Sequence, residues 1–122
     1  MRVFFWAHHI RRKQVDMLAL AEELNLSGLI LMGKPGYIFA EGAQSAVEAA
    51  IKRVKSWHWR EVKLNWEEVV PLGGAPLLSL RGMEIVDEAT FMAAFREAGR
   101  PDILAAGTKI RALDSEAHRP QA

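Results

Sequence analysis

The stretch Gly33-Lys-Pro-Gly-Tyr-Ile-Phe-Ala-Glu-Gly42 decides the fold of this chain. Proline presets the backbone of a turn's second residue and glycine supplies positive φ at its third, so Pro35-Gly36 predicts a type II turn. Tyr37 to Ala40 is a short aromatic and aliphatic run that predicts a strand, and Glu41-Gly42 ends it. We therefore expect a hairpin at the centre of the chain.

Strands and helices are predicted on both sides of this hairpin. An apolar run at Leu29 to Met32 precedes the turn, and Val3 to Ile10 is rich in aromatic and β-branched residues without helical period. Apolar residues recur at helical spacing in Arg11 to Leu24 and again in Ala43 to Trp57. Beyond them, apolar and polar residues alternate in the half-exposed strand that contains Val62, Leu64 and Trp66.

The order strand, helix, strand, strand, helix, strand predicts an α+β fold of the ferredoxin-like βαββαβ type. Right-handed crossovers give a four-stranded antiparallel sheet with both helices on one face, and its other face is then open unless something covers it.

The remaining segments predict a small C-terminal appendage on this sheet. Residues 77–80 could form an additional strand, Asp87 is a helix N-cap, and the Phe91, Phe95 stripe ends at Gly99. Residues 101–106 could add one more turn. We expect one domain over residues 1–107 and a disordered tail over residues 108–122, which are polar.

Composition excludes several classes of protein and of site. The chain has 122 residues, a net charge of +1 and no cysteine, which excludes a disulfide framework and a Cys-ligated zinc site. No apolar run approaches the ~20 residues of a membrane helix, so no membrane partner is expected. The N-terminus is interpreted as a strand rather than a signal peptide. By default we expect an intracellular protein, in the nucleus or cytoplasm.

Basic and aromatic side chains form the candidate functional set. Guanidinium groups match phosphate oxygens, and tryptophan beside arginine is typical of a base-stacking platform or a protein-binding hot spot. A solvated helix start and core or edge packing of Trp59 are the alternative interpretations. The predicted RNA-binding residues are Arg11, Arg12, Lys13, Lys34, Trp59, Arg60 and Lys63.

The sequence contains little that indicates a catalytic or a metal-binding site. Neighbouring residues on a strand point to opposite faces, so His8 and His9 cannot chelate one ion without a kink. Gly33-Lys-Pro-Gly36 lacks the spacing of a phosphate-binding P-loop and precedes a strand. We expect no catalytic residue, no metal, no cofactor and no small-molecule substrate.

The chain resembles the C-terminal domain of the pre-mRNA-splicing factor 3 family, which also follows the RWD domain in some RWD-domain-containing proteins. The resemblance covers about residues 3–107 and implies a ferredoxin-like domain. In the splicing factor this domain helps bind small nuclear RNA within a spliceosomal particle. The residues that carry the resemblance are His8-His9-Ile10, Ala21 to Gly28, Gly33 to Gly36, Glu41-Gly42, Trp57-x-Trp-Arg60 and Phe91 to Gly99 with Asp102.

Three functions follow as hypotheses. The first is a non-catalytic RNA-binding or ribonucleoprotein-assembly module, with RNA or a ribonucleoprotein as partner. The alternative is an adaptor that binds another protein through the open sheet face or through the C-terminal appendage. The third is an enzyme, because Tyr37 to Val54 resembles acylphosphatases, in which a glycine-containing loop and an arginine after the first strand cradle phosphate. Here Ala7-His-His-Ile10 replaces that loop, so we expect no enzyme.

Overall fold

The computed structural model describes residues 1–109, so residues 110–122 of the expected tail lie outside the described part of the chain. Among residues 1–109, no helix is long and apolar enough to cross a membrane. The elements are β1 (Arg2–Ala7), α1 (Lys13–Leu24), β2 (Ser27–Leu31), β3 (Gly36–Glu41), α2 (Gln44–Ser56), β4 (Val62–Glu68), β5 (Met83–Val86), α3 (Glu88–Glu97) and α4 (Pro101–Gly107).

The strands form one mixed sheet in the order β4-β1-β3-β2-β5. The first four strands are antiparallel neighbours, as the sequence predicts, and β5 lies parallel to β2. The α+β prediction is confirmed, whereas the four-stranded antiparallel sheet is wrong. The fifth strand is not at residues 77–80, where Leu78 is instead buried in a loop, but at residues 83–86.

The two predicted helices cover one face of the sheet. Met17 and Leu20 of α1 and Val47 and Val54 of α2 are at most 1% exposed. These residues pack with the sheet side chains that point to the same face, and we call this cluster the first core. Its sheet residues are Val3, Phe5, Ala7, Ile30, Ile38 and Ala40.

The opposite face of the sheet is covered by α3 and α4 rather than open. Phe4 and Phe39 on the sheet pack against Phe91 and Phe95 of α3, and all four are fully buried. The Phe39 and Phe95 rings meet edge to face at 5.0 Å between centroids, a favourable arrangement for aromatic pairs. We call the cluster on this face the second core. It buries the surface through which an adaptor would bind its partner. The prediction of an open sheet face is therefore wrong.

The hairpin has the predicted strands but not the predicted type II turn. Gly36 is the first residue of β3, and the positive φ in the hairpin, 145°, belongs to Gly33. A Cβ built on Gly36 would lie 2.6 Å from Cγ1 of Ile10. The glycine at position 36 is therefore required by the close approach of the loop that follows β1.

The alternation predicted for β4 is interrupted by a bulge. Phe4 faces Trp66 across the β1–β4 pair whereas Phe5 faces Leu64, so one extra β4 residue lies between these pairings. Leu64 consequently packs against the first core and Trp66 against the second. A β-bulge reverses the facing of all residues beyond it, which period-two reasoning does not anticipate.

An ion-pair network fixes the C-terminal segment to the sheet. Arg2 donates hydrogen bonds to Glu41 at 3.2 Å and to Glu68 at 2.6 Å. Arg100, just before α4, donates to both carboxylate oxygens of Glu68, at 3.2 and 2.8 Å, and to Asp102. The hydrogen bonds from Arg100 hold the pKa of Glu68 below its ordinary value. The appendage is thus an integral layer of the domain.

Candidate functional site

One end of the sheet gathers the basic side chains, and we call it the basic end. Antiparallel pairing places Ala7, at the end of β1, opposite Gly36 and Val62, where β3 and β4 begin. Helix α1 begins shortly after β1, and α2 ends shortly before β4. The β1–α1 loop, the β2–β3 hairpin and the α2–β4 loop therefore meet at this end.

All of the sequence-predicted site residues lie in or beside these three loops. Arg11, Arg12, Lys34 and Arg60 are exposed, and Lys13, Trp59 and Lys63 are half-buried. The predicted RNA-binding set does not include His8, His9, Trp57 and His58, which lie in the same loops. The signal that could have added them was their position at the predicted ends of β1 and α2, because those ends meet.

The loop before α1 has an unusual backbone. Arg11 and Arg12 have φ values of 34° and 51°, in the left-handed region that side-chain-bearing residues rarely adopt. Each such residue costs on the order of 1–3 kcal/mol, and strain of this kind concentrates at functional sites. Arg12 occupies the N-cap position of α1 without a side-chain cap hydrogen bond. The loop conformation thus presents two consecutive arginines at the start of α1, where no side chain caps the helix.

A cleft of about 280 Å³ lies between the start of α1 and the end of α2. Arg11, Arg12 and Lys13 line it together with Asp16, and Trp57 and His58 contribute from the loop that follows α2. Within residues 1–109, no ion-pair partner neutralises Arg11 or Arg12. The cleft has an excess of positive charge beside an indole, which suits an anionic group joined to an aromatic ring.

Trp59 is a fixed part of this site rather than the exposed platform that the sequence suggests. Its Nε1 donates a hydrogen bond to the Val54 carbonyl at 2.6 Å, which satisfies an acceptor in the last turn of α2. Its ring stacks on Trp57, with centroids 6.3 Å apart, and Lys13 Nζ lies 5.1 Å from the Trp59 centroid. Trp59 therefore positions the neighbouring Trp57 and Lys13.

His8 and His9 form an edge-to-face pair at 5.2 Å. The Nδ1 atoms of both rings and Oε1 of Gln14 are buried without a hydrogen-bond partner within residues 1–109. Loss of hydration lowers the pKa of His9, and the positive charges of Arg11 and Lys34 lower it further. A lowered pKa favours neutral imidazole, whose second nitrogen can accept a hydrogen bond. These buried atoms lie near the basic end but outside the lining of the cleft of about 280 Å³.

A larger cleft of about 480 Å³ lies at the opposite end of the sheet. Glu41 lines it, but this carboxylate is already occupied by Arg2 and by two backbone amides. Among residues 1–109, no group of three His, Cys, Asp or Glu side chains is placed to hold a metal ion. The basic end is consequently the better candidate for binding.

Solved structures of proteins with different activities share this fold. A bacterial light-regulated adenylyl cyclase has 12% identity and a TM-score of 0.62, over 94% of this chain and 35% of that chain. BlrP1 of Klebsiella pneumoniae, solved with FMN and cyclic diGMP, has 16% identity and a TM-score of 0.58, over 81% of this chain and 29% of that chain. At such identities the likeness shows the fold alone.

An acylphosphatase from Bacillus subtilis shares the fold over a smaller part of the chain. It has 14% identity and a TM-score of 0.52, over 70% of this chain and 99% of the acylphosphatase. In sequence, the chain is similar to phomoidride biosynthesis cluster protein F of a fungal species (strain ATCC 74256), with 27% identity over 71 residues. Those residues are 57% of this chain and 24% of the fungal protein. No family model matches the sequence.

These comparisons correct the functional predictions made from the sequence. Among the neighbours that match most of the chain are a light-regulated cyclase and a protein solved with FMN and cyclic diGMP. The predictions of an RNA-binding splicing-type module, of RNA as partner and of no small-molecule partner are therefore wrong. The grouping of the basic residues stands independently of that function.

Proposed function

We propose that this chain is a non-enzymatic sensor-type domain with a ferredoxin-like core, which binds a phosphorylated aromatic small molecule at its basic end. The observation that carries the proposal is the cleft in which Arg11, Arg12 and Lys13 face Trp57. The resemblance to the splicing-factor C-terminal domain stays a prediction, and it does not bear on which ligand binds.

FMN is the first ligand to consider, because BlrP1 was solved with it. A flavin ring has polar edges that need hydrogen-bond partners when buried. The first core between α1, α2 and the sheet is built from apolar side chains such as Met17, Leu20 and Ile38. Among the described residues, Glu41 is the buried charged one, and it lies at the opposite end with its oxygens occupied. The ring therefore does not fit inside the first core.

The basic end offers the groups that the interior lacks. Guanidinium forks of Arg11 and Arg12 match a terminal phosphate, and an aromatic ring can lie beside the Trp57 indole. The unpaired Nδ1 atoms of His8 and His9 lie at the same end of the sheet. A bound flavin would supply visible absorbance there, and this chain's own residues would hold its phosphate and restrict the ring.

The proposal predicts that the phosphate decides affinity. FMN should bind the purified protein, and riboflavin, which has the same ring without the phosphate, should bind at least about tenfold more weakly, a difference of about 1.4 kcal/mol. Affinity for FMN should fall as salt rises, because exposed charges are screened. Titration of flavin fluorescence at two salt concentrations measures both effects. Equal affinity for the two flavins, or no binding of either, would exclude the proposed site.

Charge reversal locates the binding. Arg12→Glu should weaken FMN binding at least about tenfold, since it replaces an attraction to phosphate by a repulsion. Arg96→Glu is the matched control, because Arg96 is an exposed arginine on α3, away from the basic end. An equal loss in both variants would point to nonspecific attraction by net charge.

We also expect no acylphosphatase activity. Without glycine amides arranged around the transferring phosphoryl group, its developing charge is not stabilised. Asn65 donates hydrogen bonds to the carbonyl oxygens of Gly107 and Lys109, and Asn25 lines the opposite cleft, so neither is placed to orient water at Arg11. Release of phosphate from an acyl phosphate should proceed at the rate in buffer. A faster rate that Arg11→Ala abolishes would contradict the non-enzymatic proposal.

A further inference from the structure

The outer edge of β5 borders a groove that the proposed ligand site does not use. The groove has a volume of about 320 Å³ and lies between β5, α3 and the loop before β5, far along the sheet from β4 and β1. Its walls are mostly aliphatic, and we call it the β5 groove. The apolar side chains that line it include Leu29, Leu77, Leu80, Val86, Ala94 and Ala98.

Two carboxylates lie on this apolar surface. Glu84 of β5 and Glu97 of α3 both line the groove, and both are exposed. Neither has an ion-pair partner within residues 1–109. Arg81, which precedes β5, lines the separate cleft that contains Glu41. The β5 groove therefore combines mostly apolar walls with two negative charges.

Within the described residues 1–109, the strand beside the groove has one edge that no other strand pairs with. β5 is the last strand of the sheet and pairs with β2 on one side. Its other side presents backbone donors and acceptors, which an added strand can satisfy. Ile85 points away from the groove and is 48% exposed, so both faces of this edge offer apolar surface.

We propose that the β5 groove binds an extended segment of a protein partner whose groove-facing side chains, at every second residue, are apolar and basic in turn. The segment would add to the free edge of β5, and its apolar side chains would enter the groove. Its cations would pair with Glu84 and Glu97, because opposite charges on neighbouring strands attract and like charges repel. The two carboxylates select against uncharged and acidic strands and so determine the class of partner.

Peptides of defined pattern test this proposal on the whole chain. A short fluorescent peptide in which every second residue is threonine and the residues between them are valine and lysine in turn should bind, because its valine and lysine side chains share one face. We call it the valine–lysine peptide, and its counterpart with glutamate in place of lysine, the valine–glutamate peptide, should not bind. The double variant Glu84→Lys/Glu97→Lys should weaken the valine–lysine peptide at least about tenfold. It should also gain affinity for the valine–glutamate peptide. Fluorescence anisotropy measures the affinities, and amide hydrogen exchange should show protection at residues 83–86.

Matched controls separate this site from general charge effects. Glu48→Lys changes an exposed carboxylate on α2, on the other face of the sheet, and should leave peptide binding unchanged. Equal losses in Glu48→Lys and in the double variant would overturn the proposal. So would binding without protection of β5, or a β5-paired homodimer in light scattering that the double variant dissociates, since the occupant would then be a second copy.

Discussion

Glu41→Ala should lower the free energy of unfolding by about 3 kcal/mol, the lower end of the range for breaking a buried ion pair. Glu41 is 4% exposed and accepts hydrogen bonds from Arg2, Leu77 and Leu78. Its removal leaves two backbone amides and one guanidinium nitrogen without their acceptor, and buried donors without acceptors are costly. Arg2 retains Glu68 as a partner at 2.6 Å, which limits the loss. Chemical denaturation measures the difference.

Two further variants isolate the cause of this loss. Glu41→Gln keeps an acceptor oxygen but not the charge, so its cost should lie between wild type and Glu41→Ala. Glu67→Ala removes an exposed carboxylate from β4 and should cost no more than about 0.5 kcal/mol. If Glu41→Ala is no less stable than Glu67→Ala, the carboxylate does not anchor the loop before β5.

The anchoring role of Glu41 shows where sequence reasoning ends. Glu41-Gly42 was interpreted as the end of a strand, and β3 does end at Glu41. What buries the carboxylate is a loop whose amides belong to Leu77 and Leu78, 36 and 37 residues further along the chain. Neither periodicity nor turn chemistry carries information about such distant partners.

The sequence contains a pattern that indicates a sheet covered on both faces. Val3-Phe-Phe-Trp6 and Leu29-Ile-Leu31 are continuous apolar runs, which are typical of strands buried on both faces. Phe4 and Leu29 accordingly lie in the second core, and their neighbours Phe5 and Ile30 lie in the first. The prediction of an open face followed the general architecture and disregarded this absence of alternation.

The sequence predicts which residues lie at the basic end but not the backbone conformation that they adopt. Strand order alone brings Arg11, Lys34 and Arg60 to one end of the sheet. The left-handed backbone at Arg11 and Arg12 was not predictable, because the sequence shows neither glycine nor asparagine there. The ligand class also lay beyond the sequence, since clustered cations and tryptophans suit several phosphorylated partners.

Phe4→Ala should lower the free energy of unfolding by about 3–5 kcal/mol, as large truncations in tightly packed cores do. Phe4 is fully buried, and its ring centroid lies 5.7 Å from that of Phe91 and 6.0 Å from that of Phe95. A cavity there cannot collapse easily, because the sheet backbone and two helices surround it.

The same substitution should loosen one layer of the domain selectively. Amide hydrogen exchange should accelerate in α3 and α4 more than in α1 and α2, because Phe4 contacts the second core and not the first. Phe5→Ala is the matched control: Phe5 is 1% exposed and adjacent in sequence, but it packs into the first core. Leu72→Ala, at a fully exposed leucine, should change stability by less than about 0.5 kcal/mol. If Phe4→Ala and Phe5→Ala accelerate exchange in the same helices, the two cores do not behave as separate layers.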